Sequence, residues 1–184
     1  MILFVNACVR PESRTRRLAD CLLGRLDGTV KEITLIENDF PKMDADFIRG
    51  RDQWVESADY SSPVLDYAKD FAAADTIVIA APYWDLSFPA ALKQYLEQIC
   101  VSGITFYYEN GVPKGLCRAE KLYYITTAGG PVYGDFGYGY VRTLAQVFFG
   151  IAHTECVQAE GLDMPGADVE QILRAAEEKI AAGS

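Results

Sequence analysis

Four arginines crowd a short segment near the beginning of the chain, and hydroxyl groups lie among them. The charged side chains of residues 10–17 are four arginines and one glutamate, a local charge of +3: Arg10, Arg14, Arg16, Arg17 and Glu12. The first N–H groups of a helix are free, and hydroxyl and guanidinium groups added there bind phosphate. We therefore interpret this segment as a phosphate site whose cradle has four members: Arg10, Ser13, Arg14 and Thr15. The alternative is that Ser13 or Thr15 only caps a helix and that the arginines are solvated.

A second loop carries aromatic and proline residues where surface loops are normally small and polar. It has the sequence Pro82-Tyr83-Trp84-Asp85-Leu86-Ser87-Phe88-Pro89 and follows an apolar run. Aromatic side chains present flat apolar faces, so this loop would suit a planar aromatic ligand. A structural role is equally open, in which Trp84 and Phe88 belong to the core or to an interface.

A third loop combines hydroxyl groups with glycines. It has the sequence Thr126-Thr127-Ala128-Gly129-Gly130-Pro131, and glycine lets a backbone approach a ligand closely. An anion cradle, an aromatic wall and a polar glycine strip together match a phosphorylated flat ring, most simply FMN. The pattern G-x-x-x-x-G-K-S/T is absent, and no G-x-G-x-x-G follows the first apolar run, which disfavours a P-loop or a dinucleotide site.

Short apolar runs predict the strands that would bring these loops together. Residues 2–5, 76–81 and 122–127 are apolar runs typical of buried strands. Residues 30–36 alternate enough to predict a second strand, and a last strand is expected at about residues 153–159. A further extended stretch, residues 104–108, precedes Asn110-Gly111, which is a hairpin signal.

Helices are predicted between the strands, where apolar residues recur at three- to four-residue spacing. The expected helices run from Ser13 to Gly28, briefly near residues 46–51, from Ser62-Pro63, from Ser87, around residues 141–149, and after Asp168. Alternating strands and helices specify a parallel sheet covered on both faces, because crossover connections are right-handed. We predict one α/β domain spanning residues 1–184, a three-layer α/β/α flavodoxin-like fold of strand order 2-1-3-4-5 with a small hairpin insertion. Its ligand would lie at the carboxyl ends of the strands.

Composition limits the class of protein. The chain has 184 residues, a net charge of −9 and 50% hydrophobic residues, which suits a globular protein and excludes disordered and fibrous ones. Its acidity argues against a nucleic-acid partner, which would need a basic surface. Five cysteines at irregular spacings fit neither a zinc site nor a disulfide framework, so we expect reduced thiols and a cytoplasmic protein. No apolar stretch approaches the ~18 residues of a membrane span, so no membrane partner is expected.

The loop residues and their neighbours resemble a known family. The motifs are Pro82-Tyr83-Trp84-Asp85, Pro89-Ala90-Ala91-Leu92-Lys93-Gln94-Tyr95-Leu96, Gly103-Ile104-Thr105-Phe106, Gly115-Leu116, Lys121 and Glu160-Gly161-Leu162. In combination they resemble the FMN-dependent NAD(P)H azoreductase and NAD(P)H:quinone reductase family of the flavodoxin-like fold. The resemblance covers most of the chain.

This resemblance implies where FMN would lie. Its phosphate would be held by Ser13, Arg14 and Thr15. Its isoalloxazine would pass along four residues of the second loop, with backbone N–H groups near its N5 and O4 edge: Pro82, Tyr83, Trp84 and Asp85. Its pyrimidine side or ribityl chain would meet four residues of the third loop: Thr127, Ala128, Gly129 and Gly130. Three residues depart from the family pattern, since Asp85 replaces an asparagine, Leu86 an aromatic residue and Ala128 an arginine.

The resemblance also implies an activity. A hydride from NADH or NADPH would pass through FMN to a quinone or azo compound in ping-pong order, so neither a catalytic side chain nor a metal is expected. A homodimer is implied, with six aromatic residues as candidates for a roof over the flavin: Tyr107, Tyr108, Tyr133, Phe136, Tyr138 and Tyr140. A flavodoxin-type electron carrier and a non-catalytic flavin-binding protein remain alternatives. His153 should lie away from the ligand edge, and Asp44 and Asp46 in a solvated turn.

Overall fold

Two sheets form in residues 1–183, the part of the chain that the computed structural model describes. The strands are β1 (Ile2–Asn6), β2 (Val30–Thr34), β3 (Thr76–Ala80), β4 (Phe106–Glu109), β5 (Val112–Gly115), β6 (Lys121–Thr127) and β7 (His153–Ala159). Five of them form a parallel sheet in the order β2-β1-β3-β6-β7, and β4 pairs with β5 as an antiparallel hairpin. Without the hairpin strands this order is 2-1-3-4-5, so the predicted flavodoxin-like topology is confirmed.

Helices cover both faces of the parallel sheet. They are α1 (Arg14–Leu23), α2 (Ala45–Ser57), α3 (Asp66–Ala73), α4 (Ala90–Ile99), α5 (Tyr138–Leu144) and α6 (Val169–Ala182). Successive residues of a strand point to opposite faces, so Phe4 of β1 packs with α1 and α6, whereas Leu3 packs with α3 and α4. The predicted three-layer architecture is confirmed. Within the described residues, no helix combines the length and apolar character needed to cross a bilayer.

The two best-defined local predictions concern the hairpin and the last helix, and both are confirmed. Asn110 and Gly111 have φ angles of 52° and 78°, the left-handed pair that a tight hairpin turn requires. Asp168 caps α6, and its carboxylate accepts a hydrogen bond from the backbone N–H of Gln171 at 3.0 Å. The sequence therefore identifies correctly the points at which these elements begin and turn.

The first helix ends earlier than predicted. The backbone N–H of Gly24 donates to the carbonyl of Asp20, and Leu26 then folds back in a turn onto Leu23. Gly28 instead has a φ of 135° in the connection to β2, a backbone conformation that glycine adopts readily because it has no Cβ. Gly24 and not Gly28 therefore terminates α1.

The second helix is longer than the short one predicted. Asp44 caps it by accepting hydrogen bonds from the backbone N–H groups of Asp46 and Phe47 at 3.2 and 3.0 Å. Asp46 lies in the first turn, where it forms an ion pair with Arg49 and a carboxylate favours the helix dipole. Asp44 and Asp46 are solvent-exposed as predicted, but they cap and begin α2 instead of lying in a turn.

Three other helix boundaries also differ from the prediction. Ser87 closes a tight turn, and α4 begins only after Pro89. Residues 63–65 form a 3₁₀ turn before α3, and the helix expected at 141–149 begins at Tyr138 and changes at Ala145 into one π turn. Helix ends are set by local turn geometry and hydrogen bonds, which apolar periodicity does not encode.

All five cysteines are free. Burial raises the pKa of Cys100 to about 11 and that of Cys156 to about 12, and it also raises the pKa of Cys8, which lies next to the first loop. Thiols of this kind stay protonated and poorly nucleophilic at neutral pH.

Candidate functional site

One pocket lies at the carboxyl ends of the central strands. In the register of the sheet Asn6 pairs with Ala80 and Ala80 with Ile125, so the loops after β1, β3 and β6 leave from one edge. The pocket between them has a volume of about 820 Å³, within the range of small-molecule sites. Its lining comes from these loops and one further residue: Val9, Arg10, Pro11, Glu12, Ser13, Arg14, Thr15, Pro82, Tyr83, Trp84, Thr127, Gly129 and Asp163.

Most of the predicted ligand residues meet in this pocket. Those that line it are Arg10, Ser13, Arg14, Thr15, Pro82, Tyr83, Trp84, Thr127 and Gly129. Three predicted residues do not line it: Asp85 is exposed at the tip of a turn, Ala128 is buried at the end of β6, and Gly130 lies beyond it. The three loops therefore converge as expected. A ligand contact from Asp85, Ala128 or Gly130 would need the backbone atoms of these residues.

Two ends of the pocket differ in chemistry. We call residues 10–15 and 161–163 the helix end, because they surround the N-terminus of α1. Residues 82–87 and 131–137 are called the aromatic end, because Tyr83, Trp84, Tyr133 and Phe136 belong to them.

At the helix end, Ser13 is the predicted N-cap of α1. Its hydroxyl accepts a hydrogen bond from the backbone N–H of Arg16 at 3.3 Å and keeps its own proton for donation. The N–H groups of Arg14 and Thr15 lie in the first turn, which has no intrahelical acceptors for them. Capping and anion binding are therefore compatible at this helix terminus.

The Thr15 side chain ties the first loop to the third. It is only 1% exposed, and its hydroxyl shares a hydrogen bond of 2.6 Å with the hydroxyl of Thr127. Because Thr127 is the last residue of β6, this bond fixes the start of α1 against the end of that strand. Thr15, which was predicted as a cradle hydroxyl, therefore makes a structural contact.

The four arginines of the first loop divide into two pairs. Arg16 donates to Asp20 at 2.8 Å and to Glu32 at 2.6 Å, outside the pocket. Arg17 donates to Glu170 and Glu177 of α6, each at 2.7 Å. The interpretation of the whole +3 segment as a phosphate site is therefore wrong for Arg16 and Arg17, and only Arg10 and Arg14 line the pocket.

The contact between Arg17 and α6 shifts the pKa values of the groups on both sides. Hydrogen bonds from Arg17 and then Arg174 lower the pKa of Glu170 to about 2, and the carboxylates of Glu170 and Glu177 raise the pKa of Arg17. The charge of Arg17 therefore joins α1 to α6.

Asp163 is a pocket residue that the sequence analysis missed. Its carboxylate accepts a hydrogen bond from Arg14 Nη1 at 2.7 Å, and its backbone N–H donates to the carbonyl of Gly129 at 2.8 Å. A Cβ on Gly129 would overlap the Asp163 carboxylate. The available signal was its position directly after Glu160-Gly161-Leu162, at the carboxyl end of β7 and hence at the ligand edge.

The aromatic end begins with a very tight turn. The backbone groups of Trp84 and Ser87 exchange hydrogen bonds of 3.1 and 2.8 Å, and between them Asp85 and Leu86 have φ angles of 50° and 69°. Left-handed backbone is strained for a leucine, and such strain clusters at ligand sites.

This turn determines which N–H groups could meet a ligand. The N–H of Tyr83 donates to the carbonyl of Thr127 at 3.0 Å, and that of Trp84 donates within the turn. The N–H groups of Asp85 and Leu86 have no acceptor among residues 1–183. Within residues 83–87, the backbone N–H groups of Asp85 and Leu86 are therefore the ones that remain free for a ligand, and of the four residues expected along the ring only Asp85 keeps a free N–H.

Residues 131–137 brace the turn from outside. The Tyr83 hydroxyl donates to the carbonyl of Tyr133 at 3.0 Å, and the Ser87 hydroxyl donates to the carbonyl of Phe136 at 3.0 Å. The side chains of Tyr133 and Phe136 are themselves 63% exposed and point away from the core. The aromatic end is thus held by hydrogen bonds and leaves large apolar surfaces uncovered.

The six predicted roof residues fall into two groups. Five are exposed: Tyr107, Tyr108, Tyr133, Phe136 and Tyr140. Tyr138 is half-buried, packs against Tyr124, and shares a hydrogen bond of 2.9 Å with Thr154. Tyr138 is therefore a packing residue.

The remaining titratable candidates lie away from the pocket. His153 begins β7, opposite Lys121 at the start of β6, and so lies at the other edge of the sheet as predicted. Within residues 1–183 no group of three or more His, Cys, Asp or Glu side chains could hold a metal ion. The pocket side chains are suited to binding and orienting a ligand that brings its own chemistry.

Comparison with known families gives one match over nearly the whole chain. The family described as flavodoxin-like fold matches residues 1–183. FMN-dependent NADH:quinone oxidoreductase 2 of Clostridium acetobutylicum is 37% identical over 193 residues, covering 97% of this chain and 94% of that protein. The FMN-dependent NADH:quinone oxidoreductase of Clostridium beijerinckii is 37% identical over 191 residues, with the same two coverages of 97% and 94%.

Solved structures of similar shape carry related names. The structure of an azoreductase from Bacillus anthracis superposes with a TM-score of 0.86 at 27% identity, covering 98% of this chain and 96% of that one. The azoreductase AzrA superposes with a TM-score of 0.82 at 26% identity, covering 98% and 97%. The similarity therefore includes the strands, the helices and the loops that form the pocket.

Proposed function

Because the chain belongs to the flavodoxin-like fold family, among its FMN-dependent NADH:quinone oxidoreductases and azoreductases, we propose that its pocket binds FMN and serves electron transfer from NADH or NADPH to a quinone or an azo compound. The chain is thus an oxidoreductase of that family. The exchange of the two substrates at one site, in ping-pong order, and the use of NADPH are parts of the proposal.

The observation that carries this proposal is the match between the two ends of the pocket and the two ends of FMN. Phosphate requires N–H, hydroxyl and cationic donors, and the helix end offers the guanidinium groups of Arg10 and Arg14 with the hydroxyl of Ser13. A flat ring requires apolar surfaces, which Tyr83 and Trp84 provide at the aromatic end. The donor chemistry and the volume of about 820 Å³ therefore fit the cofactor.

Each predicted ligand residue has a role that its position supports. Ser13, Arg14 and Thr15 would hold the phosphate, with Arg10 beside them, and Pro82, Tyr83 and Trp84 would face the ring. Asp85 would act through its backbone N–H.

The third loop would act mainly through its backbone. Gly129 borders the pocket, whereas Ala128 and Gly130 use their carbonyls to accept hydrogen bonds from Leu162 and Gly161 at 3.2 and 3.1 Å. We assign Ala128 and Gly130 to shaping the pocket wall, with Thr127 linking that wall to α1.

The bound flavin would supply the redox chemistry by accepting a hydride from the nicotinamide and passing electrons to the acceptor. The protein residues hold the donor and acceptor at one open cleft, which both must use in turn. The hydrogen bond from Tyr83 N–H to Thr127 fixes the aromatic turn to the sheet, so that substrates meet a rigid wall. Preorganised walls of this kind orient reactants and exclude water.

A second copy of the chain would complete the site. The exposed rings of Tyr133 and Phe136 belong to the segment that is hydrogen-bonded to Tyr83 and Ser87, and Tyr107 and Tyr108 are exposed on the hairpin. Apolar surfaces of this kind mark interaction sites, and a homodimer would cover them.

Domain extent and location complete the proposal. Residues 1–184 would form one domain, since five of the seven strands share one parallel sheet and helices cover both of its faces. The five free cysteines suit the reducing cytoplasm, where thiols are kept reduced.

Steady-state kinetics of the FMN-loaded protein tests the proposed function. NADH or NADPH and a benzoquinone or an azo dye are varied together, with free FMN at the same concentration as the control. We expect turnover well above free FMN, with parallel double-reciprocal lines. Intersecting lines would contradict the ping-pong order. A yellow protein without turnover would contradict the reductase and favour the electron carrier or the non-catalytic flavin-binding protein.

A further inference from the structure

The helix end contains a carboxylate that a phosphate site would not be expected to tolerate. The charged side chains lining the pocket are Arg10 and Arg14 against Glu12 and Asp163, so their charges cancel. A phosphate monoester carries about −1.5 to −2 charges at neutral pH, and a fixed negative charge beside it repels it. Asp163 therefore needs a role that outweighs this repulsion.

The backbone around Asp163 is firmly held. The N–H groups of Gly161, Leu162 and Asp163 donate to successive carbonyls at the end of the third loop, at 3.1, 3.2 and 2.8 Å. These three bonds attach the segment to the third loop, directly after β6, and hold the backbone of Asp163. Its side chain is 67% exposed, and its carboxylate is placed by this backbone and by the contact with Arg14.

Arg14 is the partner that needs such an acceptor. It is the first residue of α1, its side chain is 39% exposed, and its one side-chain hydrogen bond among residues 1–183 joins Nη1 to Asp163 Oδ1 at 2.7 Å. A free arginine side chain loses rotamer entropy when it binds a ligand, and a partner that already holds it reduces that loss. A guanidinium has five N–H donors, so four remain for an anion after one is given to Asp163.

Gly129 lies next to the contact between Arg14 and Asp163. Its φ angle is not in the left-handed region, so the backbone itself does not require glycine there. A Cβ at this position would overlap the Asp163 carboxylate. Gly129 of the third loop therefore leaves room for the Asp163 carboxylate, which holds Arg14 of the first loop.

We propose that Asp163 is a positioning residue, whose carboxylate holds the Arg14 guanidinium over the α1 N-terminus so that its free N–H groups receive the flavin phosphate. The proposal rests on the proposed function, since it requires FMN in this pocket. Asp163 contacts Arg14 and not the ligand. The opposing view is that Asp163 competes with the phosphate for Arg14 and must be displaced when FMN binds.

Two substitutions of Asp163 separate these views. Dissociation constants of FMN and of riboflavin, which lacks the phosphate, are measured by flavin fluorescence for the wild type, Asp163→Ala and Asp163→Asn. Positioning predicts that Asp163→Ala weakens FMN binding about tenfold, the size of one lost charge-assisted hydrogen bond, and leaves riboflavin binding within about twofold. Asp163→Asn should restore FMN binding to the wild-type level or better, because the amide oxygen still accepts from Arg14 and adds no charge.

The contrary outcomes are distinct. FMN binding that is unchanged or tighter in Asp163→Ala overturns the positioning role, and tighter binding in both variants establishes competition. Failure of Asp163→Asn to restore binding also contradicts it, because positioning needs only an acceptor. A wild type that does not bind FMN at all would instead refute the proposed function.

Gly129→Ala gives an independent test by moving the carboxylate without removing it. The added Cβ should displace Asp163 from Arg14 and weaken FMN binding by about as much as Asp163→Ala, again about tenfold. Because Gly129 borders the pocket, any direct effect of its Cβ on the flavin is common to both ligands, so the ratio of the FMN to the riboflavin dissociation constant should rise about tenfold. An unchanged ratio would contradict the route through Asp163.

Discussion

The helix end and the aromatic end of the pocket are built on opposite principles. The helix end uses an N-cap, a hydrogen-bonded pair of threonine hydroxyls and an ion pair, which hold its side chains in place while the N–H groups of Arg14 and Thr15 stay free for a ligand. The aromatic end uses two left-handed residues, Asp85 and Leu86, and leaves Trp84 exposed. We propose that the first recognises charge and the second a flat apolar shape.

This difference shows that local charge is a poor guide to recognition until each group's partners are known. The first loop has four arginines, yet Arg16 and Arg17 bind acidic residues of the scaffold. The aromatic end has no such excess of one residue type, yet hydrogen bonds from the Tyr83 and Ser87 hydroxyls fix it in place. The functional contrast therefore lies in the hydrogen bonds.

The largest effect should come from replacing a pocket arginine, compared with the same replacement of a scaffold arginine. Arg14→Ala removes a charge-assisted contact to the phosphate, worth about 1.5–3 kcal/mol, and should weaken FMN binding by about 10- to 100-fold. Riboflavin binding should be unaffected. Arg17→Ala is the matched control and should leave FMN binding within about twofold, because Arg17 faces α6. Equal losses in the two variants would remove the distinction between pocket and scaffold arginines.

A smaller effect is expected at the aromatic end. Trp84→Ala removes an aromatic face worth about 0.5–1.5 kcal/mol beyond its buried area and should weaken FMN and riboflavin equally, by about three- to tenfold. Trp54→Ala, on α2, is the control that removes the same ring elsewhere, and flavin binding should be retained. Fluorescence titration with both flavins measures this. A loss confined to FMN would mean that Trp84 senses the phosphate, contrary to the division of the pocket.

Strain in the turn should be measurable as stability. Leu86→Gly relieves a left-handed leucine and should raise the free energy of unfolding by up to about 1 kcal/mol, measured by urea denaturation of the apoprotein. Ala58→Gly, at the left-handed C-cap of α2, is the control far from the pocket and should give a similar gain. A gain in Ala58→Gly alone would show that the turn is not strained.

The smallest effect concerns the scaffold side of the first loop. Since the folded pKa of Glu170 is about 2 and its ordinary value 4.5, its ion pair with Arg17 stabilises the fold above pH 4.5 and is lost as the pH falls towards 2. Glu170→Gln should therefore lower the thermal midpoint slightly at pH 7 and flatten its decline below pH 4.5. Glu178→Gln, on the same helix, should keep the wild-type decline. An unchanged acid profile in Glu170→Gln would contradict the pairing.

The fold was largely predictable from the sequence. Strands buried on both faces are continuous apolar runs, so β1, β3 and β6 were found within one residue at each end. Asn110-Gly111 and Asp168 were also readable, because the geometry they support needs few other residue types. Local rules suffice where the cause of the structure is local.

The site was only partly predictable because its decisive contacts are long-range. Arg16 and Arg17 bind carboxylates on distant elements, namely Glu32, Glu170 and Glu177. No residue near position 17 in the sequence predicts these partners. Asp163 reaches Arg14 across 149 positions of the chain. The turn at Asp85 and Leu86 was missed as well, since neither residue favours left-handed backbone strongly enough to predict it.

Binding of FMN and riboflavin to the wild-type protein tests the division of the pocket most directly. Both flavins are titrated in low-salt buffer and again with added inorganic phosphate, and the dissociation constants are compared. A phosphate held at the helix end predicts that FMN binds at least about tenfold more tightly than riboflavin, and that inorganic phosphate weakens FMN binding alone. Equal affinities for the two flavins, unaffected by phosphate, would contradict it.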